Sequence, residues 1–151
     1  MRILIIEDDQ IKIIQLIQYL NDKFKECYIN KKFSYQSGLK EIVDYDYDLI
    51  LLDMSIPTYD ITKSEHGGRK RPYGGKEIIR QMIRRNKKIP VIVVTQFEKF
   101  GELENSTTLN QLDNELTSLY SEVYLGIAYY SAILDSWKDE IDELIKKIGD
   151  I

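Results

Sequence analysis

The chain reads as a doubly wound α/β domain, (βα)5, with a parallel five-stranded sheet and helices on both faces. Three observations predict it. Short, near-continuous apolar runs at Arg2–Ile6, Leu49–Leu52 and Val91–Val94 have the character of strands covered on both sides. Between the runs, apolar residues recur at helical spacing. The two patterns alternate along the chain, and right-handed crossovers then distribute the helices over both faces.

Taken in order, residues 2–6 form the first strand. Residues 10–24 form a helix, with Ile11, Ile14, Ile17, Leu20 and Phe24 expected on the face packed against the sheet. Residues 26–30 make a weak second strand, and Ser37 is placed to N-cap a short helix reaching about Tyr45. Residues 48–52 are the third strand. The segment Thr58–Gly74, with Lys63, Arg69-Lys70-Arg71 and Pro72, breaks the rhythm as an inserted loop of functional or disordered type. Gly75 to Asn86 is the third helix, turning Ile78, Ile79, Met82 and Ile83 inward. Pro90 opens the fourth strand, which ends at Thr95. A fourth helix lies within 107–120 on Leu109, Leu112, Leu116 and Leu119, and residues 122–128 are the fifth strand. Leu134, Trp137, Ile141, Leu144, Ile145 and Ile148 mark the last helix.

At 151 residues a single domain over residues 1–151 is expected. The net charge of −4 argues against direct nucleic-acid binding and against an anionic membrane surface. No stretch approaches the ~20 apolar residues of a membrane span, and the N-terminus enters a strand at once rather than a signal peptide. One cysteine, Cys27, excludes an internal disulfide, reads as a strand or core residue, and fits a reducing, cytoplasmic setting.

Chemistry concentrates at the strand ends. Glu7 and Asp8 follow the first strand and Asp53 follows the third. Carboxylates converging at the edge of an apolar sheet repel one another unless a cation lies between them. Hard oxygen ligands suit Mg2+, and the carboxyl ends of parallel strands are where open α/β sheets place their sites. Asp9 reads as a solvated neighbour favourably placed at a helix N-terminus, and His66 as surface polar.

Four segments together carry a resemblance: Ile3–Asp9, Asp48–Pro57, Gly74–Arg80 and Ile89–Thr95. In that order and rhythm the chain resembles the receiver domain of two-component response regulators. The resemblance implies a flavodoxin-like sheet of order 2-1-3-4-5. It implies Asp53 as acceptor of a phosphoryl group from a histidine kinase or phosphotransfer protein. Glu7, Asp8, Asp53 and the Ser55 backbone carbonyl would hold Mg2+, with Asp8 the more direct ligand. Thr95 would be the switch hydroxyl that bonds the phosphoryl oxygen. The fourth helix, fifth strand and fifth helix would form the face that meets a downstream protein or a second copy in a homodimer.

Three departures stand out. The family's lysine at the end of strand five is missing: Ile127 occupies its place, Ala128 follows, and Gly126, Tyr129 and Tyr130 flank them. An ammonium about 4 Å from a phosphoryl oxygen is worth about 4 kcal/mol at intermediate dielectric, so its loss should weaken transfer and switching. Thr95 is followed by Gln96-Phe97 rather than a small residue. The connections after strands three and four are long. Arg69, Lys70, Arg71 and Lys99 offer charge for a basic loop folding over the pocket, although a solvated loop is the plainer reading; contact with nucleic-acid phosphates is weaker still.

The expected function is a stand-alone receiver that signals through protein contacts and is not an enzyme beyond weak self-phosphorylation. The alternative is a degenerate receiver serving as a phosphorylation-independent interaction module. A hydrolase on a related sheet would need a general acid two residues after Asp53, where Ser55 is a poor candidate.

Overall fold

The structure, a computed structural model, describes residues 1–60, 70–96, 99–100 and 107–149. Its main elements are β1 (Arg2–Ile6), α1 (Gln10–Lys23), β2 (Tyr28–Lys32), α2 (Tyr35–Asp44), β3 (Leu49–Leu52), α3 (Gly74–Arg84), β4 (Val91–Thr95), α4 (Leu109–Leu119), β5 (Tyr124–Tyr129) and α5 (Ser136–Ile145), which runs into a 3-10 turn at Lys146–Ile148. The five strands are parallel in the order β2-β1-β3-β4-β5, as the family resemblance implied.

Two apolar layers sandwich the sheet. Leu4, Ile6, Ile50 and Leu52 pack with the buried faces of α2, α3 and α4. The alternate residues Ile3, Ile5, Leu49 and Leu51 pack with α1 and α5. Since successive strand side chains point to opposite faces, a strand covered on both must be apolar throughout, which explains the uninterrupted runs in β1 and β3. Each fully buried Ile or Leu contributes about 1.5–3 kcal/mol, so these central strands anchor the fold. Among the described residues no helix is long and apolar enough to cross a membrane.

The face of α1 departs in part from the sequence expectation: Leu20 is buried and Ile17 and Phe24 pack against the same layer, but the stripe is rotated. Ile11 and Ile14 are each 63% exposed, and the buried stripe is Lys12, Ile13, Leu16, Tyr19 and Leu20. Both stripes have helical spacing, so periodicity alone could not choose between them. The structure selects the one headed by a lysine. The α2 cap also differs: Ser34 is the N-cap and its hydroxyl accepts the Ser37 N–H at 3.1 Å, which leaves Ser37 inside the first turn. Leu119 and Leu134, expected to face inward, are exposed; Leu119 ends α4, and Leu134 lies ahead of α5.

The long connections carry small antiparallel ribbons. Ile56–Pro57 pairs with Lys70–Arg71 at the base of the inserted segment, and Lys99–Phe100 pairs with Thr107–Thr108 ahead of α4. Thr108 then opens α4 with a reciprocal capping box to Gln111, which satisfies two orphan helix N–H groups. On β5, Gly126 adopts φ +150° against the Leu144 side chain, where a Cβ would lie 2.6 Å from Cδ2. Glycine therefore lets α5 settle closely on the strand.

Candidate functional site

Adjacent parallel strands in register end at the same level, and this brings the acids together. Ile6 of β1 stands opposite Leu52 of β3, so Glu7 and Asp53 emerge side by side. The Asp53 N–H donates to the Ile6 carbonyl at 3.0 Å. Glu7, Asp8 and Asp53 each bring one oxygen to within 4.8 Å of the others. Glu7 and Asp53 are buried, while Asp8 is partly exposed at the mouth of the cluster. The three carboxylates singled out from the sequence thus share one cleft.

Local structure holds each of them. Glu7 Oε2 accepts the N–H groups of Asp8 and Asp9 at 2.9 and 3.0 Å. Asp9 is the N-cap of α1, its Oδ1 accepting from Ile11 and Lys12 N–H at 3.0 and 3.2 Å. Asp53 Oδ1 accepts the Met54 N–H at 2.8 Å. Beyond it, Gly75 on the first turn of α3 donates its N–H to the Met54 carbonyl at 2.9 Å. A Cβ on Gly75 would lie 2.6 Å from the Asp53 carbonyl oxygen, so only glycine permits this approach.

Lys12 is the site residue that sequence reasoning missed. Its side chain is 1% exposed and its Nζ forms an ion pair with Glu7 Oε1. The same ammonium lies 3.6 Å from Asp53 Oδ1 and donates to the Val94 carbonyl at 2.6 Å. The Tyr130 ring centroid is 5.6 Å away. A buried ammonium is tolerated only where opposite charge and hydrogen-bond acceptors compensate its lost hydration. Here they come from the ends of β1, β3 and β4. The signal was present in the sequence: residue 12 lies one turn before Leu16 on the stripe through Ile13, Leu16 and Leu20, five residues after Glu7.

Burial raises the Glu7 carboxyl above its ordinary value and the nearby Asp53 charge adds to the rise, while the Lys12 ammonium pulls the other way. Every ligand atom the cluster offers is a carboxylate oxygen, the donor type that suits a hard divalent cation.

Thr95 is fully buried at the end of β4, opposite Tyr129 of β5. Its carbonyl accepts the Tyr130 N–H at 2.8 Å. Ser55 lies two residues past Asp53 and is partly exposed. No lysine stands on β5: Ile127 pairs with Val93 and packs into the apolar layer on the α2–α4 side. Of the basic loop residues, Arg71 is engaged elsewhere, stacked 4.3 Å above the Tyr35 ring with its Nε donating to Thr58 Oγ1 at 3.2 Å. Lys63, His66, Arg69 and Phe97, and the side chains of Lys70 and Lys99, lie outside the described residues. Gln96 is exposed.

No family model matches the chain. It is 33% identical over 144 residues to an uncharacterized protein, y4jR, of Sinorhizobium fredii, covering 93% of this chain and 94% of the relative. It is 31% identical over 153 residues to the Detocs response regulatory protein DtcB of Enterobacter cloacae, covering both chains entirely. Among solved structures, the response regulatory domain of mrkE from Klebsiella pneumoniae superposes with a TM-score of 0.63 at 17% identity, over 98% of this chain and 94% of that one. The response regulator TrrA from Thermotoga maritima, in complex with Mg2+-BeF, superposes with a TM-score of 0.54 at 18% identity, over 95% of this chain and 97% of that one. The structural likenesses establish the fold, and the full-length identity to a response regulatory protein establishes kinship. The chain belongs to the response-regulator receiver family of two-component signalling.

Proposed function

We propose that the chain accepts a phosphoryl group on Asp53 from the phosphohistidine of a histidine kinase or phosphotransfer protein, and signals through protein contacts. The observation that carries this reading is the meeting of Glu7, Asp8 and Asp53 at the carboxyl edge of the sheet, within 4.8 Å of one another.

The donor set fits Mg2+, since every candidate ligand is oxygen. The 4.8 Å spread is a little wider than the ~4.2 Å across an octahedral shell with bonds of about 2.1 Å, so a small inward shift of side chains would seat the ion. Asp8, Asp53 and the Ser55 carbonyl would hold it, with Glu7 adding charge from the buried side. When bound, Mg2+ neutralises charge on the transferred group. One Asp53 oxygen attacks phosphorus in line. The new O–P bond forms as the donor's P–N bond breaks, and the departing imidazole keeps the electron pair. The Thr95 hydroxyl donates to a phosphoryl oxygen and couples the event to β4. A shift among pre-existing states of the face formed by α4, β5 and α5 then alters contact with a downstream protein or a second copy. In this reading the domain is a phosphoacceptor, with no turnover beyond self-phosphorylation and hydrolysis of its own adduct. The cytoplasm, where kinase and donor reside, is its setting.

Incubation with MgCl2 and acetyl phosphate, read by intact mass, should show one phosphoryl adduct that Asp53→Asn abolishes. An unchanged mass would defeat the reading. The second reading is an interaction module that works without phosphorylation, and the absence of a lysine from β5 favours it. That reading expects neither the adduct nor a thermal shift with Mg2+.

A further inference from the structure

The missing strand-five lysine leaves the proposed phosphoryl site without its expected cation, and the α1 stripe brings a different lysine to the same edge. We infer that Lys12 is the cation that binds the phosphoryl group on Asp53, delivered from the first turn of α1 instead of from β5. The inference rests on the phosphoacceptor reading of Asp53 and adds to it a residue and a division of labour.

Geometry separates this role from that of a simple counter-ion. A lysine needed only to neutralise Glu7 would need no second acceptor. Lys12 is instead enclosed, and its ammonium is fixed at two points: the Glu7 carboxylate and the Val94 carbonyl at 2.6 Å. An ammonium has three N–H groups, so a third is left to turn toward Asp53 or a group attached to it. The 3.6 Å to Asp53 Oδ1 is beyond a good hydrogen bond, but a phosphoryl group on Asp53 would carry further oxygens and more negative charge into that gap. Glu7 acts here as a positioning residue. Its Oε1 faces Lys12 and its Oε2 is held by the Asp8 and Asp9 N–H groups, which directs metal binding toward Asp8, Asp53 and Ser55. The Asp9 cap receives the Lys12 N–H itself, so the helix start that aims the lysine is built from the same acidic triplet.

In the transfer step with acetyl phosphate, an Asp53 oxygen forms the new bond to phosphorus. The P–O bond to the acetyl group breaks, and acetate leaves with the electron pair. Lys12 donates a hydrogen bond to a phosphoryl oxygen and keeps its proton throughout.

The test compares wild type, Lys12→Met, Lys12→Arg, the charge-balanced double variant Glu7→Gln/Lys12→Met, and Asp53→Asn. Each is given MgCl2 alone, acetyl phosphate with and without EDTA, and beryllofluoride followed by 19F NMR. The double variant removes the ion pair as a unit and leaves no unpaired buried charge, so it should fold, and labelling is read at MgCl2 concentrations that saturate each variant. It should nevertheless accept the phosphoryl group about 10- to 100-fold more slowly, the range a charge-assisted hydrogen bond represents, and lose beryllofluoride affinity by a similar factor. In wild type labelled with 15N-lysine, the Lys12 ammonium signal, assigned by its absence from Lys12→Arg, should shift on adding beryllofluoride.

Labelling of the double variant at the wild-type rate, or an unmoved Lys12 signal, overturns the inference and leaves the Asp53 reading standing. Wild-type labelling that survives EDTA overturns the division of labour, because Lys12 would then do the metal's part as well as its own. Absence of any adduct on wild type overturns both.

Discussion

The ammonium of Lys12 lies 3.6 Å from the Asp53 carboxylate, joining the first turn of α1 to the end of β3 beneath the mouth of the acidic cleft. This places a positive charge inside the carboxylate cluster from an element where the family pattern does not look for it. Its energetic signature is separable from its functional one. Lys12→Met strands the buried Glu7 charge and should destabilise the fold by about 3–5 kcal/mol. Adding Glu7→Gln should recover most of that loss, and urea denaturation of the four members of the cycle would measure the coupling. A double variant no more stable than Lys12→Met alone would mean that the pair is not energetically linked.

The approach of α3 to the loop that carries Asp53 depends on one missing methyl group. Gly75→Ala would place a Cβ 2.6 Å from the Asp53 carbonyl oxygen, against backbone that cannot rotate away. The expected cost is about 1–3 kcal/mol, typical of overpacking, with Asp53 displaced. Thermal melts and beryllofluoride titration of the variant would show both effects; an unperturbed melt and titration would contradict the close contact.

Divalent cation should stabilise the folded chain by mass action. Mg2+ at ten times its dissociation constant is worth about 1.4 kcal/mol, which for a chain of this size is a rise of a few degrees in Tm. Asp8→Asn should remove most of the response. It should also raise the melting temperature without metal, because it relieves repulsion among the three carboxylates. Differential scanning calorimetry with MgCl2 and with EDTA separates the two effects.

Acid stability should depend in part on a pair far from the site. Tyr19 donates its phenol proton to Asp142, which also pairs with Lys23 at 2.9 Å. Burial raises the Asp142 carboxyl, but the hydrogen bonds from Tyr19 and Lys23 outweigh it and hold the group below its ordinary 3.8. A lowered folded value means the unfolded chain binds the proton more readily. The stabilisation is therefore fully present above about pH 3.8 and is lost as pH falls through the lower folded value. Tyr19→Phe should cost about 1 kcal/mol at neutral pH, with the difference from wild type shrinking below pH 4. A constant difference across chemical denaturation at pH 7, 4 and 3 would exclude the linkage.

By itself, the sequence determined the architecture and the acidic half of the site. Strands covered on both faces must be apolar at every position, so β1, β3 and β4 announce themselves, and parallel strands that end in register bring Glu7, Asp8 and Asp53 to one edge. Element limits moved by up to three residues where caps compete, as with Ser34 in place of Ser37. The face of α1 was another matter. Ile11, Ile14 and Ile17 share helical spacing with Leu20 and Phe24, and so do Ile13 and Leu16 with Leu20; only packing against β1 and α5 buries Ile13 and Leu16 and leaves Ile11 and Ile14 exposed. That rotation carries Lys12 out of solvent and into the cleft. Transfer energies argue against burying a lysine; Glu7, Asp53 and the Val94 carbonyl reverse the balance, and they come from three strands that meet only in the folded chain.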